Sequence, residues 1–218
     1  RQMCIRDSLT GSLIVLVFAS PKPGLRPASV RNSLRIFVLV ILLFQLWPPG
    51  RSLIDEAIAR HQFPVLSDFE TWFEIARWTG NAGLSVQAVP SISRGKLLEL
   101  SLTTGRYSGV ALRHFDGDWT SFSTLKFSLY NPDADSLMIT CRIHDLRHVD
   151  GNEEYEDRFN RSYHLMQVLN HIEINLDDDR ESPANRHMDL SRIKGFGLFV
   201  TSLHAHRMIY LDNVRLSP

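Results

Sequence analysis

The stretch that decides the fold is LKFSLYNPDADSLMITCRIHD, residues Leu125 to Asp145. Apolar and polar residues alternate on both sides of the segment Asn131–Asp135, whose Asn, Pro and Asp residues are typical of a turn. A period of two is typical of a strand with one face buried and the other exposed. The stretch therefore predicts two half-buried strands separated by a turn. The second of them has these residues on its apolar face: Leu137, Ile139, Cys141 and Ile143.

The same alternation recurs outward from this stretch in both directions. Turn signals such as Thr104-Gly105 and Asp150-Gly151-Asn152 separate the segments, and little helical periodicity lies between them. About eight or nine short strands of this kind predict an all-β domain, an antiparallel β-sandwich over residues 66–218. The further strands are predicted at residues 97–102, 171–176, 196–201 and 208–216.

Composition excludes several classes of protein. The 218 residues contain 24 basic and 24 acidic side chains, so the formal net charge is zero. This balance argues against a globally basic nucleic-acid binder, and we expect no nucleic-acid partner. The chain has two cysteines, Cys4 and Cys141, too few for a disulfide scaffold or a multi-cysteine zinc site.

The first 50 residues differ in character from the rest of the chain. Residues 1–8, RQMCIRDS, resemble translated adapter sequence from environmental sequence assemblies, and we expect them not to belong to the fold. Residues 9–50 contain an apolar block at 36–47 and a shorter one at 13–19, within a candidate truncated span at 9–20. The segment between the two blocks carries basic residues and no acid.

Three interpretations of the block at 36–47 compete: a secretory signal, a buried core helix and a membrane helix. Pro48-Pro49-Gly50 is no signal-peptidase site, and the block shows no polar face. A transmembrane helix with Trp47 at the interface fits best, although about 12 residues are fewer than the roughly 20 of a full span. The basic segment would then lie in the cytoplasm and the β-sandwich outside it, joined by a linker helix at 51–65.

Several short segments, taken in their order along the chain, resemble a known domain pattern. Together they resemble the galactose-binding-like jelly roll of carbohydrate-binding modules, and more closely the extracytoplasmic C-terminal domain of bacterial VanZ-like membrane proteins. The resemblance covers roughly residues 66–216. The segments are Asp68-Phe69-Glu70, Asp118–Phe127, Arg142–Asp145, Asp157–Asn160, Arg186–Leu190 and Tyr210–Leu216.

The resemblance implies a bound sugar and, in many such domains, a structural calcium ion where the first and last strands meet. Glu70 in the first predicted strand and Asp212 in the last are oxygen ligands of the kind that Ca²⁺ prefers. The alternative is that both carboxylates cap strand ends or pair with Arg215.

Sugar recognition needs an aromatic ring for stacking and planar polar groups for hydroxyl groups. The polar positions of the central strands supply both, and we expect Tyr130 to stack while the others contact hydroxyl or carboxylate groups. The alternative is a solvated sheet face with ion pairs such as Arg142 with Glu173. The predicted ligand residues are Tyr130, Arg142, His144, Arg158, Asn160 and Glu173.

Catalytic motifs are absent from the sequence. There is no Gly-x-Ser-x-Gly or phosphate-binding Gly-x₄-Gly-Lys segment, and Cys141 and Trp119 are predicted as core residues. The leading hypothesis is a membrane-tethered, non-catalytic module that binds cell-envelope or extracellular glycan. The alternatives are a polysaccharide hydrolase or lyase on the same scaffold and a protein-interaction domain.

Overall fold

The computed structural model describes residues 28–177, 183, 184 and 186–218. The segment 1–8 and the candidate span at 9–20 lie outside the described residues. The chain divides into two units, with the boundary between Ile54 and Asp55. The β-sandwich lies in the second unit.

A single helix, α1, covers Ala28–Gln62. It continues past Pro48-Pro49, beyond the apolar block at 36–47, although a proline inside a helix removes an intrahelical hydrogen bond and favours a kink. The predicted transmembrane helix at 36–47 is not found. Over the part of the chain that the structure describes, no helix is both long enough and apolar enough to cross a membrane.

Eleven strands form the second unit, with few helical residues among those described. Short helical segments are α2 at Leu146–Asp150 and 3₁₀ turns at Glu74–Arg77 and Leu190–Arg192. The strands are β1 Val65–Ser67, β2 Trp78–Gly80, β3 Gly83–Ala88, β4 Lys96–Leu102, β5 Tyr107–Leu112, β6 Thr124–Tyr130, β7 Leu137–Asp145, β8 Phe159–Leu165, β9 Leu169–Asn175, β10 Ile193–Thr201 and β11 Arg207–Ser217.

The strands form two sheets in which every neighbouring pair is antiparallel. Sheet A has the order β3-β4-β11-β6-β9, with β1 also paired to β11, and sheet B has the order β2-β5-β10-β7-β8. The predicted β-sandwich is confirmed. Strands β6 and β7 are consecutive in sequence but lie in different sheets, so the turn at Asn131–Asp135 carries the chain across the sandwich.

Buried Asn131 stabilises this crossing. Its side-chain amide donates hydrogen bonds to the carbonyl oxygens of Asp135 at 3.0 Å and Leu165 at 3.1 Å. Its Oδ1 accepts a hydrogen bond from the Asp133 N–H at 3.2 Å. A buried amide with these partners avoids the cost of unpaired polar groups and sets the direction in which β7 leaves the turn.

Aromatic side chains join the two sheets in the core. The Phe127 ring on β6 lies 5.3 Å from the Phe196 ring on β10, and the Trp78 ring on β2 lies 6.0 Å from Phe196. Trp119 and Cys141 are fully buried, which confirms both as core residues. Each fully buried large apolar side chain contributes about 1.5–3 kcal/mol relative to exposure, so this layer holds the outer faces in place.

Candidate ligand-binding groove

A groove of about 600 Å³ crosses the outer face of sheet B. It runs over all but one of the strands of the sheet, from β2 through β5 and β10 to β7, and ends at the segment that precedes β8. Its lining residues are Thr79, Gly80, Asn81, Tyr107, Gly109, Val110, Ala111, Arg113, Arg142, Tyr155, Arg158 and Phe199.

Small residues are frequent on the outer face of sheet B, and Gly80, Gly109 and Ala111 form the floor of the groove. In β10 the core residues Phe196 and Leu198 point inward, so Gly195 and Gly197 occupy outward positions. A Cβ atom on Gly195 would lie 2.2 Å from the His144 ring, and one on Gly197 would lie 2.9 Å from Arg142 Nε. The side chains of His144 and Arg142 on β7 therefore lie across β10, in space that a larger residue would fill.

Aromatic rings border the floor. The side chains of Tyr107 and Tyr155 are 52% and 60% exposed, so both present ring surface to solvent. The Tyr107 ring contacts Phe199 edge to face, with ring centroids 6.1 Å apart. Asn81 positions this end of the groove, because its side chain donates to the Tyr107 carbonyl at 2.6 Å and accepts from the Gly109 N–H at 2.9 Å. The rings offer apolar surfaces on which a sugar ring can stack.

Three arginines give the groove a positive charge. Burial lowers the pKa of Arg142, and the neighbouring cations Arg158 and Arg113 lower it further. The Arg158 guanidinium lies over the Tyr155 ring at 5.3 Å, and its buried Nε has no hydrogen-bond partner. Among the described residues, none of the three guanidinium groups forms an ion pair with a carboxylate.

His144 is neutral near pH 7. Burial lowers its pKa to about 4, with further contributions from His148 and the groove arginines. Its buried Nδ1 has no hydrogen-bond partner, and its ring lies 5.0 Å from that of His148. Within the described ranges, no three His, Cys, Asp or Glu side chains are grouped so as to hold a metal ion. The two histidines thus lie in contact without forming a metal site.

One half-buried arginine, Arg186, holds the segment before β8 in place. Arg186 donates to Asp145 Oδ2 at 2.5 Å and Oδ1 at 2.8 Å, and to Asp157 Oδ1 at 2.6 Å and Oδ2 at 2.9 Å. Burial by itself would raise the pKa of Asp145, but hydrogen bonds from Arg186 and from the backbone N–H groups of Asp189 and His148 outweigh it and lower that pKa. This cluster ties the loop carrying Tyr155 and Arg158 to the end of β7.

The structure separates the predicted ligand residues into two groups. The side chains of Arg142, His144 and Asn160 lie on the outer face of sheet B, where Arg142 and Asn160 are directly paired across β7 and β8, and Arg158 lies beside them. Of this group, Arg142 and Arg158 line the main groove, and Arg158 and Asn160 line a smaller adjoining depression of about 270 Å³. These four predicted residues therefore share one surface of the sandwich.

Tyr130 and Glu173 lie on sheet A, on the opposite side of the sandwich, so the prediction of a single surface is wrong. Glu173 forms its ion pair with Lys126 at 3.2 Å instead of with Arg142, and the Tyr130 ring lies 6.2 Å from that of Tyr210. The physical reason is that a period of two shows which residues of a strand share a face. It does not show which sheet the strand joins.

The predicted calcium ligands Glu70 and Asp212 each accept a hydrogen bond from a neighbouring residue. Glu70 Oε1 accepts a hydrogen bond from the Lys96 N–H at 2.8 Å, and the Lys96 ammonium donates to the Glu70 carbonyl at 3.3 Å. Asp212 Oδ2 accepts from the Ser93 hydroxyl at 3.2 Å. Burial raises the pKa of Asp212, and the negative charges of Glu70 and Asp68 raise it further. Ca²⁺ needs six to eight oxygen ligands, and no three His, Cys, Asp or Glu side chains of the described residues are grouped so as to hold a metal ion, so the calcium site stays a prediction.

The sequence prediction missed much of the groove: Tyr107, Tyr155, Phe199, Arg113 and the small floor residues. One sequence signal could have indicated the floor. Small residues alternate with large apolar ones in both YSGVAL at Tyr107–Leu112 and KGFGLFV at Lys194–Val200. Gly inside a strand is typical of a site where a ligand or another group approaches the backbone closely.

Comparison with solved structures finds neighbours that share the jelly-roll β-sandwich fold. The family 11 module from Clostridium thermocellum, in complex with a β-1,3-1,4-mixed-linked tetrasaccharide, is 20% identical over 70% of this chain and 94% of its own, with a TM-score of 0.53. The family 11 module of a cellulosomal cellulase from the same organism is 20% identical over 70% and 92%, with a TM-score of 0.51. At these identities the likeness shows the fold, a jelly-roll β-sandwich.

An exo-β-agarase is also similar, at 20% identity over 71% of this chain with a TM-score of 0.56. This chain spans 24% of the length of that enzyme, so the similarity is to one part of it. No family model and no curated protein matches the sequence. The closer resemblance to the VanZ-associated domain stays a prediction.

Replacing Arg186 tests the ionic cluster. We expect Arg186→Gln to lower the free energy of unfolding by about 3–5 kcal/mol, because Asp145 would remain buried without its cation. The surface variant Arg192→Gln is the control, since its ion pair with Asp189 is largely exposed and is worth less than about 1 kcal/mol. Urea unfolding of the two variants provides the measurement, and equal small losses would contradict a special role for Arg186.

The pKa of His144 predicts a pH dependence of stability. The unfolded chain takes up a proton near the ordinary value of 6.5, whereas the folded protein does so at about 4. The free energy of unfolding should therefore decrease as the pH falls from 6.5 towards 4, by about 2–3 kcal/mol. His144→Gln should remove this decrease in the free energy of unfolding. The control His164→Gln, on the exposed face of β8, should leave the decrease unchanged. Urea unfolding across this pH range measures it, and identical slopes for both variants would contradict the prediction.

Proposed function

We propose that this protein is a non-catalytic carbohydrate-binding module whose ligand lies in the groove on sheet B. The observation that carries the proposal is the groove itself, in which exposed tyrosine rings and guanidinium groups surround a bare floor of glycine and alanine. The carbohydrate-binding-module fold supports it. Its volume of about 600 Å³ is within the range of pockets that hold small ligands, and its open ends suit part of a longer chain.

The chemistry of the lining fits a sugar. A pyranose ring has apolar C–H faces that stack on an aromatic ring and equatorial hydroxyl groups that take hydrogen bonds. Tyr155 and Tyr107 supply such rings, while Arg142 and Arg158 supply several donors each. Tyr107 and Arg142 project from strands of one sheet, and the Arg186 ion pairs fix the loop that carries Tyr155 and Arg158. The four side chains are therefore held in place before the ligand binds.

The lining favours binding over hydrolysis. A glycosidase of the common type needs two carboxyl groups about 5–9 Å apart across the sugar. The groove lining contains no carboxylate, and the nearby Asp145 and Asp157 accept hydrogen bonds from Arg186. A hydrolase or lyase on this scaffold would need acidic groups that the lining residues do not provide.

A pair of tyrosine variants tests the position of the site. We expect Tyr155→Ala to weaken binding to a soluble polysaccharide about five- to tenfold, because the stacking surface is lost. Tyr130→Ala on sheet A is the matched control and should bind like wild type. Arg142→Ala should weaken binding while the domain stays folded. Native gel electrophoresis through gels containing β-1,3-1,4-glucan, agarose, polygalacturonate or κ-carrageenan measures the affinity. If wild-type protein binds no saccharide on these gels or on a glycan array, the proposal is wrong.

We also propose that the module acts at a membrane, outside the cytoplasm, through the apolar run at 36–47. The support is a set of large exposed side chains on α1, with Phe44 80% exposed, preceded in the sequence by a basic segment. Burying such side chains in an acyl layer is favourable by roughly 25 cal/mol per Å².

Liposome binding tests this attachment. The full chain should sediment with vesicles of phosphatidylethanolamine and phosphatidylglycerol, and the double variant Phe37→Glu, Phe44→Glu should stay largely in the supernatant. Trp72→Ala, at an exposed aromatic residue of the sandwich, is the control and should sediment like wild type. Wild-type protein that remains in the supernatant would contradict membrane attachment without affecting the proposal for the groove.

A further inference from the structure

We propose that the groove selects acidic saccharides, sugars that carry a carboxylate or a sulfate ester, over neutral ones. This inference rests on the proposed carbohydrate binding and specifies its ligand. It follows from the unbalanced positive charge of the groove and from the aromatic surfaces that lie beside that charge.

The charge balance of the groove is the first step. Arg113, Arg142 and Arg158 line it, and no lining residue is acidic. Among the described residues, Glu153 acts on both Arg142 and Arg158, and its effect on Arg142 is smaller than the effects of Arg158 and Arg113. Glu156 borders the adjoining depression and not the groove itself. The groove therefore holds three like charges, and no described carboxylate forms an ion pair with any of them.

Burial makes this imbalance costly. The pKa of Arg142 is lowered by burial and then by the two neighbouring guanidinium groups, which shows that they repel one another in a partly desolvated site. Arg158 Nε is buried and donates no hydrogen bond. An oxyanion between these guanidinium groups would relieve the repulsion and would accept a hydrogen bond from the free Arg158 Nε–H. A neutral hydroxyl group would accept hydrogen bonds and leave the repulsion in place.

Two of the nearby acids are held elsewhere. Asp145 and Asp157 both accept hydrogen bonds from Arg186. Since Arg186 forms ion pairs with both, neither carboxylate is free to swing into the groove and neutralise it. Arg186 thus keeps these two acids apart from the arginines that line the groove.

The aromatic residues indicate a saccharide instead of a free inorganic anion. The Tyr155 ring lies against the Arg158 guanidinium, so one ligand unit can stack on the ring while its oxyanion meets the arginine. A carboxylate and a sulfate ester each present two neighbouring oxygen atoms, to which a guanidinium group can donate two parallel hydrogen bonds.

A panel of defined probes tests the inference on the full chain. Oligogalacturonate carries carboxylates, κ-carrageenan oligosaccharide carries sulfate esters, and the β-1,3-1,4-glucan tetrasaccharide is neutral. Titration calorimetry near neutral pH should give an affinity at least about tenfold higher for one acidic probe than for the neutral one. Raising NaCl from about 50 to about 500 mM should weaken acidic-probe binding and leave neutral-probe binding unchanged.

Arginine variants identify the groups responsible. Arg142→Gln and Arg158→Gln should each weaken binding of the preferred acidic probe about tenfold or more and change neutral binding much less. Arg215→Gln removes the same charge from an exposed position on sheet A and should bind like wild type. Circular dichroism and urea unfolding confirm that the variants are folded. Equal losses in Arg215→Gln would overturn the inference.

The remaining outcomes separate the two proposals. If the neutral tetrasaccharide binds as tightly as both acidic probes and its binding depends on Tyr155, carbohydrate binding stands and acidic selection is overturned. If no saccharide binds, both proposals fail. If linear polyphosphate binds as tightly as the acidic saccharides with the same arginine dependence, the groove recognises charge alone and the inference is again overturned.

Discussion

The hydrogen-bonded cluster of Arg186 with Asp145 and Asp157 is the interaction on which the binding face depends. Asp145 is fully buried at the end of β7, and a carboxylate in that position is stable only with a cation and hydrogen bonds around it. Arg186 meets this need and reaches Asp157 with the same guanidinium group. The consequence is that the loop carrying Tyr155 and Arg158 is held against the sheet, where it forms one wall of the groove.

The packing of β10 provides the other condition for the groove. Phe196 lies in the core between Trp78 and Phe127, so the alternation of the strand places Gly195 and Gly197 on the outer face. Large residues inside hold the two sheets together, and the small residues outside leave room for the His144 and Arg142 side chains to lie across β10. Because both requirements fall on alternate positions of one short strand, stability and site shape are set by the same few residues.

The electrostatics of the face suit binding more than catalysis. The groove arginines have lowered pKa values and remain charged at neutral pH, and the neighbouring His144 is neutral there, so the face presents fixed donors and few groups that exchange protons near pH 7. Asp145 and Asp157 are bound to Arg186, which removes these two acids from acid–base chemistry. A face of this kind can orient a polar ligand and leave its bonds intact.

The alternation of apolar and polar residues was sufficient to predict the all-β sandwich, the burial of Cys141 and Trp119, and the outward direction of Arg142 and His144. It grouped Tyr130 and Glu173 with them because it gives the face of each strand but not its sheet. The crossing at Asn131 decides that assignment, and it depends on hydrogen bonds to Leu165, distant in sequence. Strand faces follow from local stereochemistry and can be read along the chain. The groove arises from residues of β2, β5, β7, β10 and the loop before β8, and only tertiary packing brings these together.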